Sequence, residues 1–147
     1  MGLIADLGRG PVGADTALFI HLIEERPPFL SLIEPLFREA DEGRRELVTS
    51  AITLLEVLVV PYRAGNRPLA ERYEALLMRS RGVRVVDLSV DQLRAAAQLR
   101  ATFGVKTPDA LQIVAALTGG CTTLVTNDRR IPSIPGMRVL RLADYAK

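Results

Sequence analysis

Short apolar runs alternate along the chain with longer segments whose apolar positions recur every three or four residues. The short runs are typical of buried β-strands and lie at 46–49, 83–88, 122–126 and 138–142. The longer segments are typical of helices and lie at 16–25, 29–43, 51–65, 67–80, 90–103 and 107–118. Because helices separate the strands, the pattern predicts an α/β fold with a parallel sheet covered on both faces.

Capping and helix-breaking residues mark several of the predicted boundaries. Ser50, Ser89 and Thr107 stand at positions where their hydroxyl oxygens can accept hydrogen bonds from the first turn of a helix. Gly104 follows the helix at 90–103 and is expected to end it. Pro35 lies inside the helix at 29–43, which we expect it to kink or split.

Composition places the chain among ordinary single-domain proteins. Its 147 residues, 48% hydrophobic and 24% charged, predict one domain over 1–147 with a substantial core. No apolar run reaches the roughly 18 to 20 residues of a membrane span. The first ten residues, MGLIADLGRG, lack the basic start and apolar stretch of a signal peptide. With Cys121 as the only cysteine, we expect a cytoplasmic protein without an intrachain disulfide.

The positive charges are almost all arginine, although the net charge of +2 is too small to indicate a nucleic-acid partner. Lys106 and Lys147 are the only lysines among 19 basic residues. The arginine fork matches phosphate oxygens, but a biased genome composition is the simpler explanation of the excess. Aromatic residues make up only 5% of the chain, so base stacking is not expected to drive nucleic-acid affinity.

Three aspartates occupy positions that ordinary local structure would explain. Asp15 precedes a helix and can cap it, and Asp109 lies in the first turn of a helix, where its charge favours the helix dipole. Asp128 follows the apolar run at 122–126 within an Asn-Asp turn. Taken one at a time, each of these aspartates has a structural interpretation.

Glu56 is harder to explain, because it is the only charged residue in the segment AITLLEVLVV. A carboxylate among apolar neighbours is costly unless something pairs with it. A partner arginine, a polar surface stripe or a bound metal ion would each provide such a partner.

Taken together, the four acids predict a metal site at one edge of the sheet. Parallel strands would bring Asp15 and Asp128 to the same edge, and Asp109 and Glu56 lie near the starts of helices that approach it. Such carboxylates repel one another, and a hard cation such as Mg²⁺ or Mn²⁺ removes that repulsion. No histidine or cysteine cluster offers a zinc or iron alternative, because His21, on an exposed or half-buried helix face, and Cys121 are single, structural residues.

Four motifs follow one another along the chain: DTALFI, TLLEVL, KTPDALQIVAA and LVTNDRR. In this order they resemble the PIN domain family, in particular the toxin ribonucleases of VapBC toxin–antitoxin systems and their stand-alone relatives. The similarity runs from about residue 10 to residue 142. The resemblance implies a three-layer α/β/α fold with a central parallel sheet of four to five strands. It also implies that the acidic cluster comprises the four acids above, with support from two polar residues: Asp15, Glu56, Asp109, Asp128, Thr16 and Asn127.

The segment before Asp15 departs from the family pattern. The family's first strand is an apolar run, whereas RGPVGA contains two glycines and a proline. Leu3-Ile4-Ala5 is a more apolar candidate for the first strand, and the aspartate that follows it is Asp6. However, Leu7-Gly8-Arg9-Gly10 cannot open the helix expected after that aspartate, so we favour Asp15.

The expected activity is Mg²⁺- or Mn²⁺-dependent hydrolysis of RNA, without a protein nucleophile. Arg129 and Arg130 follow Asp128 and are candidates for binding the flanking phosphates, although a solvated surface pair is an equal alternative. A non-catalytic PIN-like scaffold and a small-substrate phosphoesterase are the competing functions. The helices at 16–25 and 29–43 could form a homodimer seam or seat an antitoxin, but core packing explains their apolar residues as well.

Overall fold

The computed structural model describes residues 2–146 and contains a five-stranded sheet in which every neighbouring pair of strands is parallel. The strands are β1 (Val12–Ala14), β2 (Leu47–Ser50), β3 (Val83–Val86), β4 (Thr123–Thr126) and β5 (Arg138–Arg141). Their order across the sheet is β3-β2-β1-β4-β5, so the shortest strand lies at the centre. The predicted α/β class and the four- to five-stranded parallel sheet are confirmed.

Helices connect these strands. They are α1 (Leu3–Leu7), α2 (Thr16–Ile23), α3 (Leu30–Asp41), α4 (Ile52–Arg63), α5 (Arg67–Arg79), α6 (Val90–Phe103) and α7 (Thr107–Thr118). A short 3₁₀ turn follows β5 at Leu142–Asp144. Within residues 2–146 the longest helix has 14 residues, and none combines the length and hydrophobicity that a bilayer crossing requires.

Two apolar layers enclose the sheet, as the alternating side chains of the strands require. Val12 and Leu47 pack on one face with side chains from helices α1 to α5. Val48 and Leu124 point to the opposite face, where they pack against α7. The result is the predicted three-layer α/β/α arrangement.

The central strand β1 forms despite its poor strand propensity, because pairing with β2 and β4 and close packing against α7 stabilise it. Gly13 is paired with Val48 on one side and Leu124 on the other. A Cβ atom at Gly13 would lie 2.7 Å from Ala116 Cβ and 2.9 Å from Leu124 Cδ1. The missing side chain therefore allows α7 to lie close against the middle of the sheet, which is why burial overrides propensity here.

The segment Leu3–Leu7 is a short helix and not a strand, which supports the choice of Asp15 over Asp6. Asp6 accepts a hydrogen bond from Tyr145 Oη at 2.5 Å. Asp6 therefore connects α1 to a residue near the other end of the chain, whereas Asp15 directly follows the central strand.

Three predicted helix features differ in the structure. Thr107 is not a cap, because α7 begins at Thr107 itself and Lys106 occupies the capping position without a side-chain hydrogen bond. Ser50 is not the cap of α4, because Ala51 occupies that position, although the Ser50 hydroxyl accepts a hydrogen bond from the Ile52 amide at 3.2 Å. Pro35 does not split its helix, since α3 continues without interruption from Leu30 to Asp41. The predicted cap at Ser89 is confirmed, and it accepts a hydrogen bond from the Gln92 amide at 3.1 Å.

Two further expectations concerned surfaces of α2 and α3. His21 was expected on an exposed or half-buried face, but it is buried against Phe29, with ring centroids 4.7 Å apart. Most apolar residues of α2 and α3 belong to the core or pack against it. Among residues 2–146 the large exposed apolar side chains lie outside α2 and α3, including Leu55 and Tyr62 of α4. Core packing therefore accounts for the apolar content of α2 and α3.

Replacing Gly13 by alanine tests the close approach of α7 to the sheet. We expect Gly13→Ala to lower the free energy of unfolding by about 1–3 kcal/mol, because the added methyl overlaps Ala116 and Leu124. Urea denaturation measures the difference. Gly2→Ala is the control, because a Cβ there meets no heavy atom within 4 Å. Equal stability of the two variants would contradict this account of the central strand.

Candidate metal centre

Asp15 joins the carboxyl end of β1 to the start of α2. Its backbone N–H donates to the Val125 carbonyl at 3.2 Å, and its Oδ1 accepts from the Ala17 amide at 3.1 Å. Its Oδ2 accepts a hydrogen bond from the Thr126 hydroxyl at the end of β4. Burial raises the pKa of Asp15 to about 6 in spite of these donors, and the negative charge of Asp109 contributes to the rise. The predicted capping role and a place in the acidic cluster are both compatible with this position.

Asp109 is the third residue of α7 and lies within the electrostatic reach of the other three acids. Its pKa is raised to about 6, mainly by burial and in part by the charges of Asp128 and Glu56. Asp109 in turn raises the pKa of Asp15. Asp109 is therefore the carboxylate through which the four predicted acids influence one another.

Asp128 follows β4 and is held by hydrogen bonds from two residues nearby in the chain. Its backbone N–H donates to Thr126 Oγ1 at 2.9 Å. The Arg130 backbone N–H and Nε donate to Oδ1 at 2.8 and 3.1 Å, and Arg130 Nη2 donates to Oδ2 at 3.1 Å. These contacts hold the pKa of Asp128 below its usual range, in contrast to that of Asp109.

Glu56 lies one turn into α4 and is half-buried, with a hydroxyl as its partner in place of the arginine considered from the sequence. Thr16 Oγ1 donates to Glu56 Oε1 at 2.5 Å and also contacts Thr53 Oγ1 at 3.2 Å. Thr16 is thus a polar neighbour of the acidic cluster, at the position from which a supporting role was predicted.

A buried polar network beneath the acids was not predicted from the sequence. Gln112 Oε1 accepts hydrogen bonds from Thr49 Oγ1 at 3.2 Å and from the Ser50 amide at 3.1 Å. Gln112 Nε2 donates to Thr53 Oγ1 at 2.7 Å, and Thr53 contacts Thr16. The network therefore connects α7 and β2 to the helices that carry Glu56 and Thr16. The available sequence indication was a glutamine inside the apolar helix at 107–118, one turn after Asp109.

The donor set has the chemistry that a hard divalent cation requires. Every candidate ligand offers oxygen, and Asn127, whose backbone amide hydrogen-bonds to the Asp15 carboxylate, has a buried Oδ1 without a hydrogen-bond partner among the described residues. However, within residues 2–146 no three acidic, histidine or cysteine side chains are grouped tightly enough to hold a metal ion. The predicted ligands are thus neighbours at one edge of the sheet without forming a closed coordination shell.

The chain belongs to the PIN domain family, whose family model matches residues 14–137. This match includes the last residue of β1 and all of β2, β3 and β4, and it ends just before β5. A comparison with curated protein sequences finds no significant match.

Solved structures with the same fold include chains of bacterial toxin–antitoxin proteins. A chain of VapBC2 from Rickettsia felis, bound to a promoter DNA fragment, has 17% identity and a TM-score of 0.65, covering 90% of this chain and 98% of that one. A chain of DNA-bound VapBC from Salmonella typhimurium has 24% identity and a TM-score of 0.59, covering 91% and 98%. VapC20 from Mycobacterium tuberculosis, described as a Sarcin-Ricin loop cleaving toxin, has 17% identity and a TM-score of 0.62, covering 78% and 86%. These similarities extend across nearly the whole fold.

Removing the amide of Gln112 tests the buried network. We expect Gln112→Leu to lower the free energy of unfolding by about 1–3 kcal/mol, because the Ser50 amide and the hydroxyls of Thr49 and Thr53 lose a buried partner. Chemical denaturation gives the value. Gln98→Leu on the exposed side of α6 is the control and should change stability by less than about 0.5 kcal/mol. A similar effect in both variants would mean that the network contributes nothing specific.

The raised pKa of Asp109 predicts how stability depends on pH in the absence of metal. The folded protein binds this proton more tightly than the unfolded chain, so the contribution of Asp109 to stability falls as the pH rises from about 4 to about 6. We expect Asp109→Asn to remove that contribution and to be relatively more stable than the wild type at pH 7 than at pH 4. Thermal unfolding at several pH values, with a chelator present, measures the difference between the two proteins. A difference that is constant across this pH range would contradict the assigned environment of Asp109.

Proposed function

We propose that this protein is a VapC-like ribonuclease that uses Mg²⁺ or Mn²⁺ to hydrolyse RNA phosphodiester bonds. The observation that carries the proposal is geometric: Asp15 and Asp128 follow the neighbouring parallel strands β1 and β4, and Asp109, in the first turn of α7, lies close enough to both for their charges to interact. Membership of the PIN domain family and the fold shared with VapBC chains support the same activity. The description of VapC20 as a cleaving toxin adds support for a nuclease.

The proposed metal ligands are the four carboxylates at the edge of the sheet: Asp15, Glu56, Asp109 and Asp128. A divalent ion held there would supply an activated water and neutralise charge on the phosphate. Thr16 would position Glu56 through its hydroxyl, and Thr126 would position Asp15. Asn127 offers an additional oxygen beside the cluster, because its Oδ1 lacks a partner among the described residues.

Arg129 and Arg130 are the proposed phosphate-binding residues. Both side chains are exposed next to Asp128, so a nucleic-acid backbone can approach them from solvent. Their guanidinium groups can each donate two hydrogen bonds to phosphate oxygens. This placement would align a phosphodiester with the carboxylates without requiring contacts to the bases.

A cognate antitoxin and a second copy of the chain are the proposed protein partners. The support is that neighbouring folds occur in two VapBC structures and in a structure described as a toxin–antitoxin complex from Klebsiella pneumoniae. The exposed apolar residues Leu55, Val60 and Tyr62 of α4, which are 60%, 63% and 64% exposed, provide a surface for one of these partners.

A non-catalytic scaffold is the second candidate function. The observation in its favour is that residues 2–146 contain no tight group of three metal-binding side chains. Such a scaffold would bind RNA or a partner without cleaving it, and divalent ions would not change its stability. Metal-dependent stabilisation of the folded state therefore separates the two functions.

Asp109→Asn provides the test of catalysis. We expect this variant to lose RNA cleavage by at least about 100-fold with Mg²⁺ or Mn²⁺, because the central carboxylate is removed from the proposed site. Cleavage of a labelled RNA pool measures the loss, and a phosphomonoester assay distinguishes a small-substrate phosphoesterase. Asp6→Asn is the matched control, because Asp6 lies near the chain ends and should leave cleavage unchanged. Substantial cleavage by Asp109→Asn, or none by the wild type, would refute the proposed activity.

A further inference from the structure

The contact between Arg130 and Asp128 occupies both oxygens of a proposed metal ligand. Three hydrogen bonds of 2.8 to 3.1 Å join them, two from the guanidinium group and one from the backbone N–H of Arg130. The Arg130 side chain is 65% exposed and that of Asp128 is 22% exposed. The arginine therefore covers the carboxylate from the solvent side.

Asp128 differs in this respect from the other proposed ligands. Asp15 is held by a hydroxyl and an amide, and Glu56 is held by a hydroxyl, all of which are uncharged donors. Among the ion pairs found in residues 2–146, the pair with Arg130 is the one that includes a member of the acidic cluster. Arg130 thus supplies the positive charge that a divalent ion would otherwise bring to Asp128.

We propose that Arg130 is an exchangeable counter-ion that leaves Asp128 when a phosphodiester binds, so that nucleic-acid binding and metal binding favour each other. This inference rests on the proposed function, because it requires Asp128 to be a metal ligand. It goes beyond that function by giving Arg130 two alternative partners. Arg130 is a positioning residue in this scheme and takes no direct part in the chemistry.

Three physical properties of the contact support the exchange. An exposed ion pair is weak and readily broken, because water screens the charges on both groups. A phosphate accepts the same two-pronged hydrogen bonds from arginine as a carboxylate does. A cation arriving at Asp128 would repel Arg130, and a nearby phosphate would accept it.

The thermodynamic consequence is reciprocal coupling. Both ligands favour the state in which Arg130 is released from Asp128, so each raises the affinity of the other by the same factor. An arginine paired with a carboxylate outside the proposed site would not produce this effect. Arg94 is the natural comparison, because it forms an exposed pair with Asp91 at 2.9 Å on α6, and neither residue belongs to the proposed site.

The test compares Arg130→Gln with Arg94→Gln in the full chain. Mn²⁺ binding is measured by calorimetry with and without a nuclease-resistant 2′-O-methyl phosphorothioate oligonucleotide. Without the oligonucleotide we expect Arg130→Gln to bind Mn²⁺ about two- to fivefold more tightly than the wild type, as expected when a weak exposed pair is removed. With the oligonucleotide the gain in Mn²⁺ affinity should be about two- to fivefold larger in the wild type than in Arg130→Gln, which keeps only the direct attraction between Mn²⁺ and the phosphates. Arg94→Gln should resemble the wild type in both measurements.

The possible results separate this proposal from the proposed function. An equal increase in Mn²⁺ affinity in both glutamine variants would indicate a general charge effect and overturn the exchange. Unchanged affinity in Arg130→Gln, together with loss of Mn²⁺ binding in Asp109→Asn, would overturn the exchange and leave the metal site supported. Absence of Mn²⁺ binding to the wild type would overturn both. Circular dichroism verifies that each variant is folded, as expected for changes at exposed side chains.

Discussion

Negative charge that is partly buried at one edge of a parallel sheet is the constraint on which the candidate site depends. The neighbouring strands β1 and β4 end side by side, and this brings Asp15 and Asp128 to the same edge. The start of α7 adds Asp109, whose pKa is raised to about 6. The fold tolerates these charges because hydroxyls, amides and one arginine donate hydrogen bonds to the carboxylates. The repulsion between these carboxylates makes the edge a suitable place for a divalent cation, and the proposed nuclease activity depends on such an ion.

The layers behind the edge keep these charges in place. Gly13 lets α7 approach the central strand, and Gln112 on the same helix is hydrogen-bonded to β2 and α4. The helix that carries Asp109 is therefore fixed by both close packing and buried hydrogen bonds. Asp128, by contrast, lies on the outer side, where the exposed Arg130 is its main partner. The inner part of the proposed site is held by close packing and buried hydrogen bonds, and the outer part by an exposed ion pair.

Local sequence patterns predicted most of the fold, but they failed where distant contacts determine the structure. Thr107 was predicted to cap α7, yet the helix begins at that residue, and no single-residue preference distinguishes the two cases. His21 is buried because Phe29, beyond the end of its helix, folds back over it. The roles of Gln112, Thr49 and Thr53 depend on partners as many as 63 residues away, so their local sequence could not indicate them. Whether the predicted ligands bind metal remains a prediction.

The sequence by itself determined the alternation of strands and helices, the parallel sheet and the presence of acidic residues after its strands, because periodicity and turn chemistry are local properties. Tertiary structure alone decided that Val12–Ala14 is a strand at the centre of the sheet, since its stability comes from neighbours on both sides and from α7. It also decided the partner of each carboxylate: Thr16 for Glu56, Thr126 for Asp15 and Arg130 for Asp128. Hydrogen bonds and pKa shifts depend on distances between groups, and those distances exist only once the chain is folded.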